Sequence, residues 1–365
     1  MNLKQILNLN RNEVCGLDIG SSAVKIVAIR KENTGYKVTA VGISQIANRR
    51  DSQHEQGGNN ANVVKAIHDC YATTGQKTGN KLRTKLAVCG IGGPEIAVRD
   101  FEFPPLPEDE IDGAVTLEAG LVCPFNPEQA VVDYQLIPDG DDMTRGILVA
   151  ATNTLIKSKR HLAQKAGLKC VLMDVDGLAL LNCFNNLVNE HEKSTTAILN
   201  VGGSFTTLAI MSDEGWPFIR ETARAGDYII ARIAEAQNKS QEEVTGILFG
   251  DSPDGGTSLG DSLETSCNEV INDVNETLRF YSASEKSKQI EKIFVCGGFA
   301  ATGGFVELLS RRLGMEACLW NPFDSELCHT SEQYRDFLSK KGPAMAVAAG
   351  LAMRSIDKNG EKKHE

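Results

Sequence analysis

The feature that most restricts how this chain folds is a pattern that occurs twice. Val14-Cys-Gly-Leu-Asp-Ile19 and Val24-Lys-Ile-Val-Ala-Ile29 are apolar and β-branched, and Gly20-Ser21-Ser22 between them carries the turn signal of a hairpin. Ala197-Ile-Leu-Asn-Val-Gly-Gly-Ser-Phe-Thr-Thr-Leu-Ala-Ile210 aligns with this stretch without gaps. Asn200 falls on Asp18, Gly202 on Gly20, Ser204 on Ser22 and Thr207 on Lys25, a shift of 182 residues in a chain of 365. A repeat at half the chain length predicts two related halves.

Each hairpin tip exposes backbone N–H groups and hydroxyls, and successive N–H groups in a turn form a concavity that accepts phosphate oxygens. Asp18, at the end of the first strand, is placed to hold a magnesium ion directly or through water, and Lys25 to neutralise phosphate charge. For the first copy alone, an ordinary buried hairpin with a stray acid and lysine is the better description, since short Gly/Ser turns are common. Two copies, one per half, instead suggest a clamp that grips a polyphosphate from opposite sides of a cleft.

Composition narrows the field. With 41% hydrophobic residues, the chain is expected to be a soluble globular protein with two or three cores. A net charge of −10, a pI near 5.3 and the lack of clustered Lys and Arg argue against nucleic acid as the main ligand. No stretch approaches the roughly 20 apolar residues of a membrane span, and Met1 to Arg11 lacks an apolar signal core, so a cytoplasmic location is expected. The ten cysteines are scattered with no Cys-x-x-Cys pair and read as reduced core residues; the six histidines show no metal-ligand spacing.

Along the chain, Tyr36 to Ser44 alternates as a third strand, Asn48 to Asn60 is a polar loop, and Val63 to Thr73 has helical spacing. Residues 84–168 read as a small unit of strands at 86–91, 96–103, 131–138 and 146–153, with helices at 108–120 and 154–166. A helix at 177–189 leads to the second hairpin, a third strand at 216–221 and a helix at 228–237. Ser240 with Glu243 three residues on is a capping-box pattern opening a helix to Phe249. A long helix at 263–284 carries apolar residues at 263, 267, 270, 271, 274, 278 and 281; a helix at 305–313, a short strand at 317–320 and a small-residue helix at 344–353 follow.

Ile293-Phe-Val-Cys-Gly-Gly298 is a strand ending in paired glycines, where backbone without side chains lets an adenosine lie flat against the turn. Taken in order, Asp18-x-Gly-Ser-x-x-x-Lys25, the hairpin at 200–207, the Gly297-Gly298 turn and the small-residue helix near Gly350 resemble the phosphate 1, phosphate 2, adenosine and connect 2 elements of the superfamily of actin, heat-shock chaperone ATPases and sugar kinases. The helix entered through Asp174-Val-Asp176 sits where that superfamily has connect 1. Within it the chain most resembles the PilM family of type IV pilus assembly, through Phe103-Pro-Pro-Leu-Pro-Glu-Asp-Glu, Cys123-Pro-Phe-Asn-Pro-Glu128, Met173-Asp-Val-Asp176 and Trp320-Asn-Pro-Phe323.

The resemblance, which covers residues about 12 to 355, implies an α/β fold of duplicated actin-like, ribonuclease H-like domains flanking a nucleotide cleft, with an inserted SHS2-type subdomain. The implied boundaries are 1–83 with 169–195 for subdomain 1A, 84–168 for 1C, 196–225 with 262–365 for 2A, and 226–261 for 2B. It implies ATP held by Asp18, Gly20, Ser21, Ser22, Lys25, Asn200, Gly202, Gly203, Ser204, Gly226, Glu243, Gly297, Gly298 and Thr302, with magnesium at Asp18. It further implies a PilN-like inner-membrane protein whose cytoplasmic N-terminus sits in a groove between 1A and 1C, and possible self-association.

The chain departs from the superfamily at Asn200, where an acid is usual; an amide accepts a hydrogen bond from metal-bound water but brings no charge. Asp174 and Asp176, besides Asp18, are the carboxylates left for a catalytic role, and slow or absent hydrolysis is expected. A small-molecule kinase of the same superfamily needs a base aimed at an acceptor hydroxyl, which no motif supplies. A division protein like FtsA tethers itself by a C-terminal amphipathic helix, whereas Asp357 to Glu365 is too polar for that.

Overall fold

The computed structural model describes residues 14–47, 56–74, 82, 84–137, 143–188, 195–212, 216–250, 259–284 and 288–354. The sequence expectations for Met1 to Arg11, for residues 48–55 of the polar loop and for the chain end at 357–365 fall outside these residues.

Two sheets repeat one topology. In the first half, β1 (Cys15–Ile19), β2 (Ala23–Glu32) and β3 (Gly35–Gln45) form an antiparallel meander; β4 (Leu86–Ile91) joins β1 in parallel, β8 (Lys169–Val175) joins β4, and the two-residue β14 (Cys328–His329) caps the far edge beside β3. In the second half, β9 (Thr196–Val201), β10 (Thr206–Met211) and β11 (Pro217–Thr222) form the meander, followed in parallel by β12 (Lys292–Cys296) and β13 (Glu316–Leu319). Asp18 pairs with Lys25 and Asn200 with Thr207, so the sequence alignment of the hairpins is also their structural register.

A third sheet, β5 (Ile96–Phe103), β7 (Thr144–Thr152) and β6 (Ala130–Leu136), is covered by α2 (Glu108–Val122) through Ile111, Val115 and Ala119. It is smaller than the unit expected at 84–168. Its strands span 96–152, while β4, expected at the start of that unit, pairs with β1 and β8, because its apolar run is buried on both faces as a central strand requires. The closing helix, α3 (Asn153–Lys165), packs Leu162 and Ala163 on the outer face of the first sheet.

Helices and sheets stack in layers. On the outer face of the first sheet lie α1 (Gln56–Thr73) and α3, sealing Leu17, Val24, Ile26, Ile67 and Cys89. Residues 56–60, expected in a loop, are the first turns of α1. Between the two sheets lie α4 (Asp176–Leu187) and α10 (Ala346–Met353), in one core with Val27, Val88, Ile198 and Ala209. Every residue of α10 is buried; a helix apolar all round belongs inside. It fits because two glycines leave room: a Cβ on Gly16 would stand 2.0 Å from the Ala348 carbonyl oxygen, and one on Gly350 1.9 Å from that of Ala179.

Beyond the second sheet, α5 (Gly226–Gln237), α6 (Gln241–Phe249), α7 (Gly260–Ser282) and α8 (Phe305–Leu313) close the last core. The seven apolar positions expected along the long helix are all buried in α7, together with Ser266 and Thr277. Ser240 and Glu243 form the expected capping box at the start of α6. Three of the strands and helices had no sequence expectation: β8, β14, and α9 (Glu332–Lys341), which buries only Tyr334 and Leu338.

Candidate functional site

Both hairpins turn at the carboxyl ends of the parallel strands, the edge where open α/β sheets place ligands. In the first, Lys25 Nζ donates to Asp18 Oδ2 at 2.9 Å, with the side chains only 15% and 9% exposed. The Gly20 N–H donates to the Ala23 carbonyl at 3.1 Å, and the Ile46 N–H to the Ser22 carbonyl at 2.8 Å. The second hairpin repeats the turn, with Gly202 N–H donating to Phe205 carbonyl at 3.1 Å. Its polar pair differs. Thr207 Oγ1 donates to Glu221 Oε1 at 3.1 Å, and Asn200 Oδ1 lies 3.9 Å from Cys296 Sγ.

The tips meet. Ser204 N–H donates to Ser21 Oγ at 3.1 Å, and a Cβ on Gly203 would stand 2.4 Å from that oxygen and 3.2 Å from Ser22 Oγ, so any side chain at 203 would have to push the serine hydroxyls aside. The start of α5 supports the second tip: Gly226 N–H donates to Gly202 carbonyl at 3.0 Å, Asp227 N–H to Gly203 carbonyl at 2.9 Å, and Ser204 Oγ to Asp227 Oδ2 at 3.2 Å.

The paired glycines close the other end. Gly297 has φ +102, and a Cβ there would stand 2.4 Å from the Val201 carbonyl oxygen; Gly298 faces open space, with no atom within 4 Å of a Cβ position. Thr302 is buried in the following turn, and its Oγ1 has no hydrogen-bond partner among the described residues. These features suit a flat ring system laid on Gly298.

The expected residues therefore gather at the two tips and the glycine turn, with one set apart. Glu243 spends its carboxylate on the Ser240 N–H at 2.7 Å, which holds it below the usual carboxylate range; its place is a helix cap. Asp174 is also committed, accepting from the Val175 N–H at 3.0 Å and pairing with Arg354 at 3.2 Å.

Asp176 is different. As first residue of α4 it packs against Gly90 and Gly92, where Cβ positions would lie 2.4 and 2.8 Å from its oxygens, and its Oδ1 is sealed from solvent without a hydrogen-bond partner among the described residues. The same Gly92 position would lie 3.1 Å from Glu221 Oε1, so the two carboxylates face each other across the halves. Glu221 also accepts from the Gly93 N–H. Burial raises the Asp176 carboxyl well above its ordinary range, helped by Asp18 and Glu221, and burial raises Glu221 too.

A pH signature follows. A raised carboxyl binds its proton more tightly in the folded chain than in the unfolded one, so stability is greatest below the ordinary carboxyl range and is lost as pH rises through the raised values. Each tenfold difference in proton affinity is worth about 1.4 kcal/mol. Asp176→Asn should raise the thermal midpoint at pH 7 to 8, and the gain should vanish below about pH 4. Melting curves across that range check it; a loss at neutral pH would show the carboxylate to be satisfied.

Sequence reading missed Lys159, Glu221 and Asp227. Lys159 Nζ, from α3, donates to the Ile19 carbonyl at 2.7 Å, beside the first tip. Nothing local marks it, since it is one of several charged residues, Lys157, Lys159, Arg160 and Lys165, spread around a strongly polar helix. Asp227 carried a usable signal, an acid in the first turn of a helix next to Gly226.

The family described as "Type IV pilus assembly protein PilM" matches residues 16–356. The cell division protein FtsA of Enterococcus hirae is 22% identical over 336 residues, which cover 80% of this chain and 73% of FtsA. A solved structure described as "PilM-PilN type IV pilus biogenesis complex" superposes with a TM-score of 0.78 at 22% identity, over 95% of this chain and 99% of that one. MreB 5 of Spiroplasma citri, solved bound to AMPPNP, superposes with a TM-score of 0.50 at 13% identity, over 97% of this chain and all (100%) of that one. The fold is actin-like.

Proposed function

The chain belongs to the PilM family of type IV pilus assembly proteins, and from that premise we propose that it is an ATP-binding scaffold which holds the cytoplasmic N-terminal tail of a PilN-like inner-membrane protein and turns its nucleotide over slowly or not at all. The observation that carries the nucleotide reading is the pair of hairpins in identical register whose tips meet. Ser21, Ser22, Ser204 and the tip N–H groups would receive phosphate oxygens, Lys25 would neutralise them, and Gly298 with Thr302 would seat the adenosine. Magnesium, when bound, supplies charge neutralisation between phosphate oxygens; Asp18 is the carboxylate that would hold it, directly or through water. Among the described residues no group of three or more His, Cys, Asp or Glu side chains is arranged to hold a metal by itself. That favours an ion brought in with the nucleotide.

Slow turnover has a physical basis. Asn200 brings no charge opposite Asp18, Asp174 is tied to Arg354, and Asp176, with its Oδ1 sealed from solvent and a carboxyl that favours the neutral form, is a poor proton acceptor at neutral pH. The subdomain scheme is proposed with the amended extent of the inserted unit, 96–152. The partner tail, expected between subdomains 1A and 1C, is proposed to lie in a groove of about 600 Å³ between α1 and α3, the helix that leads out of the inserted sheet onto the first, where Val64, Leu162 and Ala166 supply an apolar floor and Lys65, His68, His161 and Lys165 a polar rim. No helix among the described residues is long and apolar enough to cross a membrane, so attachment through a partner suits the chain.

Calorimetric titration tests both halves of this reading. Magnesium-ATP should bind with turnover below about 1 per second, the lower edge of ordinary enzyme rates. A peptide of the partner tail should bind wild type, and Val64→Asp should weaken the peptide by about tenfold or more while leaving ATP binding unchanged, since it places a charge on an apolar floor. Faster turnover would point to an enzyme; an inert tail peptide would remove the scaffold.

A further inference from the structure

α3 touches both proposed sites. It follows β7 without a loop, capped by Thr152, whose Oγ1 accepts from the Leu155 N–H at 3.2 Å. Thr152 Oγ1 also lies 2.6 Å from Glu95 Oε1, which fixes the start of the helix to the linker between β4 and β5. From its middle, Lys159 reaches 2.7 Å to the carbonyl of Ile19, the last residue of β1 and the neighbour of Gly20. Residues three, four and seven positions further on, Leu162, Ala163 and Ala166, share that face of the helix, and Leu162 and Ala166 line the groove against α1. The distance along the helix from Lys159 to these residues is roughly 5–10 Å.

Lys159 is also placed electrostatically. Its charge favours the ionised forms of both Asp176 and Glu221, the facing carboxylates behind the first tip. An ammonium has three donors, and Ile19 takes one. The group therefore stands where the hairpin tip, the carboxylate pair and the helix under the groove come together.

We propose that Lys159 is a positioning residue that couples nucleotide at the hairpin tips to the α1/α3 groove, by changing how it holds the Ile19 carbonyl when phosphate charge arrives and so shifting α3. The proposal rests on the nucleotide-clamp reading. A bound polyanion draws on the ammonium that now donates to a neutral carbonyl and acts on the two carboxylates through its field alone. The stem of Lys159 leaves the helix on the face that packs Leu162 and Ala166, so a change at its head is felt at the groove wall. Coupling of this kind is reciprocal and typically amounts to roughly 5- to 150-fold in affinity.

The test follows backbone amide exchange in residues 153–165 of the full chain, with and without saturating magnesium-AMPPNP, alongside binding of a fluorescent ATP analogue. In wild type, nucleotide should change exchange in α3 at least threefold. Lys159→Met, and Lys159→Gln as a second variant that keeps a donor without the charge, should bind nucleotide yet show no response in α3. Lys159→Arg should restore the response, and Lys157→Met, on the exposed side, should match wild type. Thermal melts confirm that the variants are folded. Nucleotide binding with an unresponsive α3 in wild type, or a full response in Lys159→Met, overturns the coupling while leaving the clamp standing. Failure of wild type to bind the analogue overturns the clamp and the coupling with it.

Discussion

Lys25→Ala is expected to weaken magnesium-ATP binding by about 100-fold or more and to lower stability by about 3 kcal/mol. The two losses have one origin. Lys25 and Asp18 face each other in register across the first hairpin, 2.9 Å apart, and Asp18 is 6% exposed. Removing the ammonium leaves a buried carboxylate unpaired, and it also deletes the cation that phosphate oxygens would meet. Asp18→Asn in the same chain separates these effects, because it removes the uncompensated charge without restoring the cation. The double variant should recover most of the stability and none of the affinity. Calorimetry and thermal melts decide the matter: a Lys25→Ala protein that binds ATP within threefold of wild type would show that the hairpin is not the phosphate site.

The second hairpin lacks this charge pair, and the difference shapes the proposed function. At the position equivalent to Lys25, Thr207 donates to Glu221, and at that of Asp18 stands Asn200. The acid on this side has moved one strand over, to β11, where it faces Asp176 instead of a lysine of its own hairpin. A site with its cation on one side and two crowded carboxyls behind it suits holding a polyphosphate more than splitting it.

The hairpins were legible because everything that defines them is local: apolar alternation, a glycine turn and a polar residue at a fixed offset, present twice. The same holds for α7, whose apolar period is long, and for the capping box at Ser240 and Glu243, which needs four residues. What was not legible depends on distant partners. α9 buries only Tyr334 and Leu338, two contacts that do not make a period, and β14 is two residues long and exists because β3 offers an edge. Residues 56–60 are polar and rich in glycine, yet they extend a helix whose later turns are anchored by Ala66, Ile67 and Cys70. β4 adjoins the inserted unit in sequence, whereas its parallel partners lie about 70 residues before it and 80 after it. Lys159 belongs to the same class, since its contact with Ile19 spans 140 residues.

Gly350→Val is expected to be the most damaging single change to the fold, costing about 4 kcal/mol or more and lowering the thermal midpoint by roughly 8–15 °C. A Cβ at 350 would stand 1.9 Å from the Ala179 carbonyl oxygen and 2.5 Å from its carbon. Those atoms belong to the backbone of α4, so no rotamer change can relieve the clash, and α10 must move away from α4. The two helices lie between the sheets, α10 against β1 and α4 beginning at Asp176, so their separation displaces the first hairpin as well. ATP affinity should therefore fall along with stability, although residue 350 lies outside the set that would touch nucleotide. Gly246→Ala is the matched control. It lies inside α6, where a Cβ meets nothing within 4 Å, and it should stabilise the protein by about 0.5–1 kcal/mol. If Gly350→Val melted like wild type, α4 and α10 would have to tolerate a wider separation, and the close backbone packing between the halves could not be what fixes the spacing of the two hairpins.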